Sequence, residues 1–147
     1  MKPDYTPVPW RVRIAFGIGQ LPEGIKSAAF GFFLLFYYNQ VLGLSGTLSG
    51  TAIFLALIVD AISDPMVGAL SVSTRSRWGR RHPYMYAAAI PFAASFYFLF
   101  APPAGLTKMG LFWWLTIFSI ATRTFMTFYS VPHMSLGAEL TSDYDER

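Results

Sequence analysis

The sequence predicts an all-α membrane protein that crosses the bilayer about four times, with both ends of the chain on the cytoplasmic side. Of its 147 residues, 54% are hydrophobic and only 13% are charged, and this charged share is roughly half of that in a soluble domain. The apolar residues also fall in blocks of about twenty, the length that a helix needs to cross ~30 Å of hydrocarbon. Both observations disfavour a water-soluble fold.

Four apolar blocks are long enough to be membrane helices. We place them at residues 14–41, 48–73, 84–101 and 109–136, between a cytoplasmic segment at 1–13 and the start of a cytoplasmic loop at 137–147. Gly43 lies in a tight connection between the first two blocks, and Pro102 and Gly105 separate the last two. The first block is too long for a cleaved signal peptide, so we interpret it as a permanent helix.

The basic residues in the connections set the expected orientation. Four of the eleven lysines and arginines lie between Arg75 and Arg81, whereas Lys108 alone lies near the opposite ends of the helices. An excess of lysine and arginine marks the cytoplasmic side, most reliably in short loops. We therefore predict a multi-pass protein of the plasma or inner membrane with a cytoplasmic N-terminus. Topology accounts for the basic residues without a nucleic-acid partner.

Ionisable residues at membrane depth are the strongest functional signal, because each costs on the order of 2.5 to 3.5 kcal/mol to insert. Asp60 and Asp64 stand one turn apart on one face of the second span. Two carboxylates repel unless a cation lies between them, and a hard ion such as sodium prefers oxygen ligands. We therefore predict a cation site at Asp60 and Asp64. The alternative is that Asp64 satisfies the backbone at the Pro65 kink while Asp60 pairs with Arg123.

Polar residues also follow one face of the first span and one face of the fourth, at spacings of three and four. A polar stripe must avoid lipid, so we expect both faces to line a substrate cavity. The cavity residues that we predict are Gln20, Glu23, Lys26, Arg123, Thr127 and Ser130. Two structural alternatives stay open: Glu23 and Lys26 pair with each other, and Arg123 pairs with an aspartate rather than with an anionic ligand.

Four motifs appear in order along nearly the whole chain. They are Phe-Gly-Ile-Gly at 16–19, Asp-Ala-Ile-Ser-Asp-Pro at 60–65, Arg-Ser-Arg-Trp-Gly-Arg-Arg at 75–81, and Val-Pro-His followed by Leu-Gly-Ala-Glu-Leu-Thr within 131–141. Together they resemble the glycoside-pentoside-hexuronide:cation symporter family of the major facilitator superfamily, the melibiose permease type. The resemblance implies the first four helices of a twelve-helix fold with the solute site between two six-helix halves. This chain is then an amino-terminal fragment, and we expect further helices after Arg147.

The resemblance also implies roles for individual residues. Asp60 and Asp64 match the acidic pair that binds the coupling cation. The connection between the second and third spans resembles the superfamily's cytoplasmic gating motif, which here comprises Gly68, Arg75, Arg77, Gly79, Arg80 and Arg81. Gly24 and Ser130 stand where the melibiose type has sugar-binding aspartates, so the sequence departs from the galactoside pattern at these two positions.

The function implied by the resemblance is sodium- or proton-coupled symport of a sugar, glycoside or related small solute by alternating access. Such a protein is not an enzyme and needs no cofactor. Its partners are the solute, the coupling cation, the lipid bilayer and the remaining transmembrane helices. Two alternatives stay open: a lysolipid or anionic-solute carrier of the same superfamily, and a complete four-helix structural membrane subunit.

Overall fold

A computed structural model describes residues 8–73 and 82–140, and all regular structure in this part of the chain is helical. The elements are α1 (Trp10–Gly19), α2 (Leu21–Ala28), a π-helical turn (Ala29–Phe33), α3 (Leu34–Phe36), a second π-helical turn (Tyr37–Val41), α4 (Gly46–Ser73), α5 (His82–Phe100) and α6 (Lys108–Leu140). The all-helical class is therefore confirmed for the described residues.

Three helices in the described ranges are long and apolar enough to cross a membrane: Gly46–Leu70, Pro83–Phe100 and Lys108–Met134. They coincide with the second, third and fourth predicted spans. The last helix continues to Leu140, so residues 137–140 are helical rather than part of a loop. Alanine, glutamate and leucine in this segment are strong helix formers, which explains the extension.

The first apolar block is helical for most of residues 10–41 but is divided into short pieces. It begins at Trp10, before the predicted start. The first division follows Gly19, because glycine is a poor helix former and Pro22 has no N–H to continue the hydrogen bonding. Two π-helical turns interrupt the regular bonding further along. The first predicted span therefore corresponds to a broken stretch rather than to one continuous α-helix.

Helix α6 is the centre of the packing, because it runs along both α4 and α5. The apolar core lies at the end of the bundle where residues 42–45 and 101–107 connect the helices. Its buried members are Leu34, Tyr38, Leu44, Ala52, Leu99, Leu111, Phe112 and Leu115. This core fixes one end of all the long elements and leaves the middle of α4 and α6 to polar residues.

Side chains from neighbouring elements cap the C-terminal end of α5. The last carbonyls of a helix have no partner within it, and here three of them accept hydrogen bonds from aromatic side chains. The bonds run from Tyr37 Oη to the Phe100 carbonyl (3.1 Å), from Tyr38 Oη to the Leu99 carbonyl (2.6 Å) and from Trp114 Nε1 to the Phe98 carbonyl (2.9 Å). These caps tie the first stretch and α6 to the end of α5.

We expect Tyr38→Phe to lower the free energy of unfolding by about 1 to 3 kcal/mol, because the buried Leu99 carbonyl loses its donor. Thermal denaturation of the detergent-solubilised protein measures the change. Tyr97→Phe removes the same hydroxyl from a side chain that is 67% exposed, so its melting temperature should stay at the wild-type value. Equal shifts for the two variants would contradict the capping role of Tyr38.

Candidate functional site

An ion pair joins α4 to α6 near the middle of both helices. Arg123 Nη1 lies 2.7 Å from Asp60 Oδ2, and the two side chains are only 14% and 19% exposed. A guanidinium cannot lose its charge by deprotonation, so at membrane depth it needs a carboxylate or an anionic ligand. The pairing that the sequence left open between Asp60 and Arg123 is therefore present.

Thr127 brings the second aspartate into the same site. Its hydroxyl lies 2.8 Å from Asp64 Oδ1, 3.3 Å from Asp60 Oδ1 and 3.1 Å from the carbonyl oxygen of Arg123. A hydroxyl has one hydrogen, so it donates to only one of these oxygens at a time. We predicted Thr127 for the substrate cavity. The structure brings its hydroxyl within hydrogen-bonding distance of both carboxylates.

We call Asp60, Asp64, Arg123 and Thr127 the α4–α6 polar cluster. With both carboxylates ionised, it holds two negative charges and one positive charge. Its carboxylate oxygens can also accept more hydrogen bonds than Arg123 and Thr127 donate to them. Asp64 is exposed, whereas Asp60 is half-buried. In that ionisation state, the cluster has a net negative charge and free oxygen lone pairs, which are the features that a hard cation prefers.

Glu23 and Lys26 pair with each other on α2. Lys26 Nζ lies 2.8 Å from Glu23 Oε1, and the Ser27 hydroxyl donates to the same oxygen at 3.2 Å. Within the described residues, their polar contacts stay on α2, so the structure does not join them to the α4–α6 polar cluster. The first stretch reaches the cluster through Phe30, whose ring centroid lies 4.8 Å from Arg123 Cζ.

Gln20 belongs to a second group of residues, nearer the C-terminal end of α6. Its Nε2 lies 3.0 Å from His133 Nδ1, and the His133 ring stacks on Phe16 and Tyr129 at centroid distances of 4.4 and 5.6 Å. The Tyr129 hydroxyl donates to the Gly19 carbonyl at 2.8 Å, at the point where α1 ends. We call these five residues the α1–α6 clasp, because they hold the first stretch against α6.

Two further predicted residues, Ser130 and Gly68, lie on α6 and α4 outside the two groups as we define them. Ser130 is half-buried on α6. Gly68 lies on α4 beside Val131, and a Cβ at position 68 would be in ordinary contact with Val131 Cγ1 at 3.9 Å. The other members of the predicted gating loop, Arg75, Arg77, Gly79, Arg80 and Arg81, lie outside the described residues.

Several contacting residues were not among the predicted site residues: Phe30 beside the polar cluster, and Phe16, Gly19, Tyr129 and His133 in the clasp. Phe30 continues the three-and-four spacing of Gln20, Glu23 and Ser27, so its position on the polar face of the first span was readable from the sequence. Tyr129 had no such signal, because its bond to Gly19 joins residues that are 110 positions apart. Only the packing of the first stretch against α6 reveals it.

Comparison with known proteins gives consistent matches. The family model described as MFS/sugar transport protein matches residues 15–147. A symporter of Synechocystis is 36% identical over 92% of this chain. The isoprimeverose transporter of Lactiplantibacillus pentosus is 31% identical over 95%, and a sodium-dependent lysophosphatidylcholine symporter of Danio rerio is 28% identical over 92%.

The matches concern one part of each relative. The chain spans 26%, 29% and 25% of the lengths of these three proteins, respectively, or between a quarter and a third of each. No solved structure matches the chain significantly.

The α1–α6 clasp requires glycine at position 19, because a Cβ there would overlap His133 Nε2. The imidazole is held between two aromatic rings and cannot move aside freely. We therefore expect Gly19→Ala to lower the free energy of unfolding by about 1 to 3 kcal/mol. The matched control is Gly17→Ala, because a Cβ there meets nothing within 4 Å.

Alanine favours the helix over glycine, so Gly17→Ala should be neutral or stabilising by up to about 1 kcal/mol. Thermal denaturation in detergent compares the two variants. A Gly19→Ala protein as stable as Gly17→Ala would show that the close approach of His133 is not needed.

Proposed function

Because the chain belongs to the MFS/sugar transport protein family, we propose that it forms the amino-terminal part of a secondary symporter that couples the movement of a small solute to a monovalent cation. Family membership confirms the resemblance drawn from the four motifs. The members of this family are multi-pass membrane transporters. They are not enzymes and work without a cofactor.

The observation that carries this proposal is the α4–α6 polar cluster. A purely structural tie between two apolar helices needs one positive and one negative charge. Here a second carboxylate, Asp64, lies beside the Asp60–Arg123 pair and has only the Thr127 hydroxyl as a donor among the described residues. The surplus of one negative charge equals the charge of one sodium ion. Since an unpaired charge at membrane depth is costly, the surplus negative charge supports a binding site for the transported cation.

The position of the cluster suggests how cation binding is coupled to movement. The oxygen ligands come from two helices, the carboxylates from α4 and the hydroxyl of Thr127 from α6. A cation between them favours the conformation in which these helices are close, and a ligand shifts a conformational equilibrium only through such differential affinity. We propose sodium as the coupling cation and a proton as the alternative.

The wider architecture is part of the same proposal. The broken stretch at residues 10–41 serves as the first of four spans in the six-helix half of a twelve-helix transporter, with a cytoplasmic N-terminus in the plasma or inner membrane. Divided helices commonly line binding cavities in secondary transporters, because the cavity tolerates irregular backbone. Gln20, Glu23, Lys26 and Ser130 then contribute to the solute cavity, and the connection at 74–81 acts as the gating loop.

A sugar or glycoside is the solute that we favour, in line with the relative named as an isoprimeverose transporter. Small sugars present many hydroxyl groups, and the polar side chains of α2 and α6 supply both donors and acceptors for them. This proposal adds a substrate class to the transport function that the family match supports.

A lysolipid is the second candidate solute. A relative carries the name of a lysophosphatidylcholine symporter, and the structure has an apolar cleft of about 430 Å³ between the first stretch and α5. Its lining residues are Ala29, Phe33, Phe36, Tyr37, Val41, Phe96 and Phe100.

Uptake of a labelled pentose disaccharide and of labelled lysophosphatidylcholine into vesicles, each under a sodium gradient, distinguishes the two solutes.

The carboxylate pair is tested by Asp64→Asn in the full-length transporter. We expect sodium-stimulated uptake to fall at least tenfold, because the amide keeps the size of the side chain but removes the charge that binds the cation. Exchange of labelled solute without a sodium gradient should continue, which shows that the variant is folded. Sodium stimulation at the wild-type level would refute the assignment of Asp64.

Thr127→Val tests the ligand from α6. Valine matches the shape of threonine but lacks the oxygen between the two carboxylates, so we expect the sodium concentration for half-maximal uptake to rise about tenfold. Thr116→Val is the matched control on the same helix, because its hydroxyl donates only to the Phe112 carbonyl, one turn earlier. An equal rise for both variants would mean that helix packing, not ligation, is responsible.

A further inference from the structure

We infer that Arg123 is a tethered competitor of the coupling cation: its guanidinium occupies Asp60 when the cation is absent and gives up that contact when the cation binds. The inference rests on the proposed function, because it concerns the same carboxylate pair. It assigns to Arg123 the control of cation affinity rather than the binding of solute.

Arg123 uses only a small part of its bonding capacity on Asp60. A guanidinium has five N–H donors, and arginine–carboxylate pairs are frequently bidentate. In the described residues, a single side-chain hydrogen bond leaves Arg123, from Nη1 to Asp60 Oδ2, while the buried Nε has no partner. A contact through one nitrogen leaves the second oxygen of the carboxylate accessible to another cation, whereas a bidentate contact would occupy both oxygens.

Phe30 gives the guanidinium a second favourable place. Its ring centroid already lies 4.8 Å from Arg123 Cζ, within the range of a cation–π interaction, which strengthens when the cation is removed from water. Arg123 can therefore withdraw from Asp60 and keep this attraction. Release of the ion pair does not leave an isolated charge in an apolar environment.

Geometry makes Arg123 and an incoming cation compete for the same oxygens. The guanidinium holds Asp60 Oδ2, and the other oxygen of that carboxylate faces Thr127 Oγ1, which also contacts Asp64. A cation placed among these oxygens lies next to the guanidinium, and like charges at this separation repel strongly in a poorly hydrated site. The positive charge of Arg123 therefore opposes cation binding.

The test measures sodium binding directly, with the purified full-length protein in detergent. Radioactive sodium binding at equilibrium gives the Kd, and the rise in melting temperature on adding sodium chloride gives an independent value. Choline chloride keeps the ionic strength constant. The variants are Arg123→Gln, which keeps an N–H donor but loses the charge, and Arg123→Lys, which keeps the charge.

We expect Arg123→Gln to lower the Kd for sodium at least tenfold, and Arg123→Lys to stay within about threefold of wild type. Lys108→Met removes a positive charge from the exposed start of α6 and should leave the Kd unchanged. Newly acquired sodium binding by Arg123→Gln, when wild type has none, also supports the inference. A Kd for Arg123→Gln that equals or exceeds the wild-type value overturns the inference and assigns a structural role to Arg123. The absence of sodium binding in both wild type and Arg123→Gln overturns it as well.

Two further comparisons keep the result unambiguous. If Arg123→Gln does not fold, Asp60→Asn is compared with the double variant Asp60→Asn and Arg123→Gln. The double variant leaves no unpaired carboxylate at position 60 and should bind sodium more tightly than Asp60→Asn; equal binding overturns the inference. Asp64→Asn is measured in the same assay. If Asp64→Asn loses sodium binding while Arg123→Gln binds sodium no more tightly than wild type, the proposed function is retained and only the competitor role of Arg123 is rejected.

Discussion

The need to pair charge at membrane depth is the constraint on which the structure depends. α4 and α6 are largely apolar, and the apolar core packs them together at one end of the bundle. Near the middle of both helices, the ion pair between Asp60 and Arg123 fixes the register, because any other register would leave a charge at membrane depth without its partner. Once this register is fixed, Thr127 on the next turn of α6 necessarily faces Asp64 on the next turn of α4. One interaction thus assembles the whole α4–α6 polar cluster.

The break in the first stretch has a matching cause and consequence. Gly19 and Pro22 end α1, which leaves a terminal carbonyl without a helical donor. Tyr129 of α6 supplies the missing hydrogen bond, and the absence of a side chain at Gly19 lets His133 pack against the same point. The point at which α1 ends is therefore also the point at which the first stretch attaches to α6. The same helix, α6, carries both this attachment and the Arg123 and Thr127 side chains of the α4–α6 polar cluster.

The sequence predicted the long elements well because their signal is local. Apolar blocks of about twenty residues define α4, α5 and α6, and the four-residue spacing of Asp60 and Asp64 places both on one face. The sequence also narrowed the partner of Arg123 to a carboxylate or an anion, because a permanent charge in a membrane leaves few choices. It could not choose between them, since the choice depends on the relative rotation of two helices. Nor could it reveal that Thr127 lies between the carboxylates, or that π-helical turns divide the first stretch, because both follow from tertiary packing.

Incomplete pairing distinguishes the two polar groups on α6. In the α1–α6 clasp, the Tyr129 hydroxyl and the His133 ring each meet a partner on the first stretch, so the group holds a fixed contact. In the α4–α6 polar cluster, a guanidinium and one hydroxyl serve two carboxylates, and the Arg123 Nε has no partner in the described residues. A fully satisfied polar network stabilises a single arrangement. The proposed coupling cation must enter and leave its site, which requires oxygens that are only partly engaged, and the unmatched charge of the cluster is consistent with that proposal.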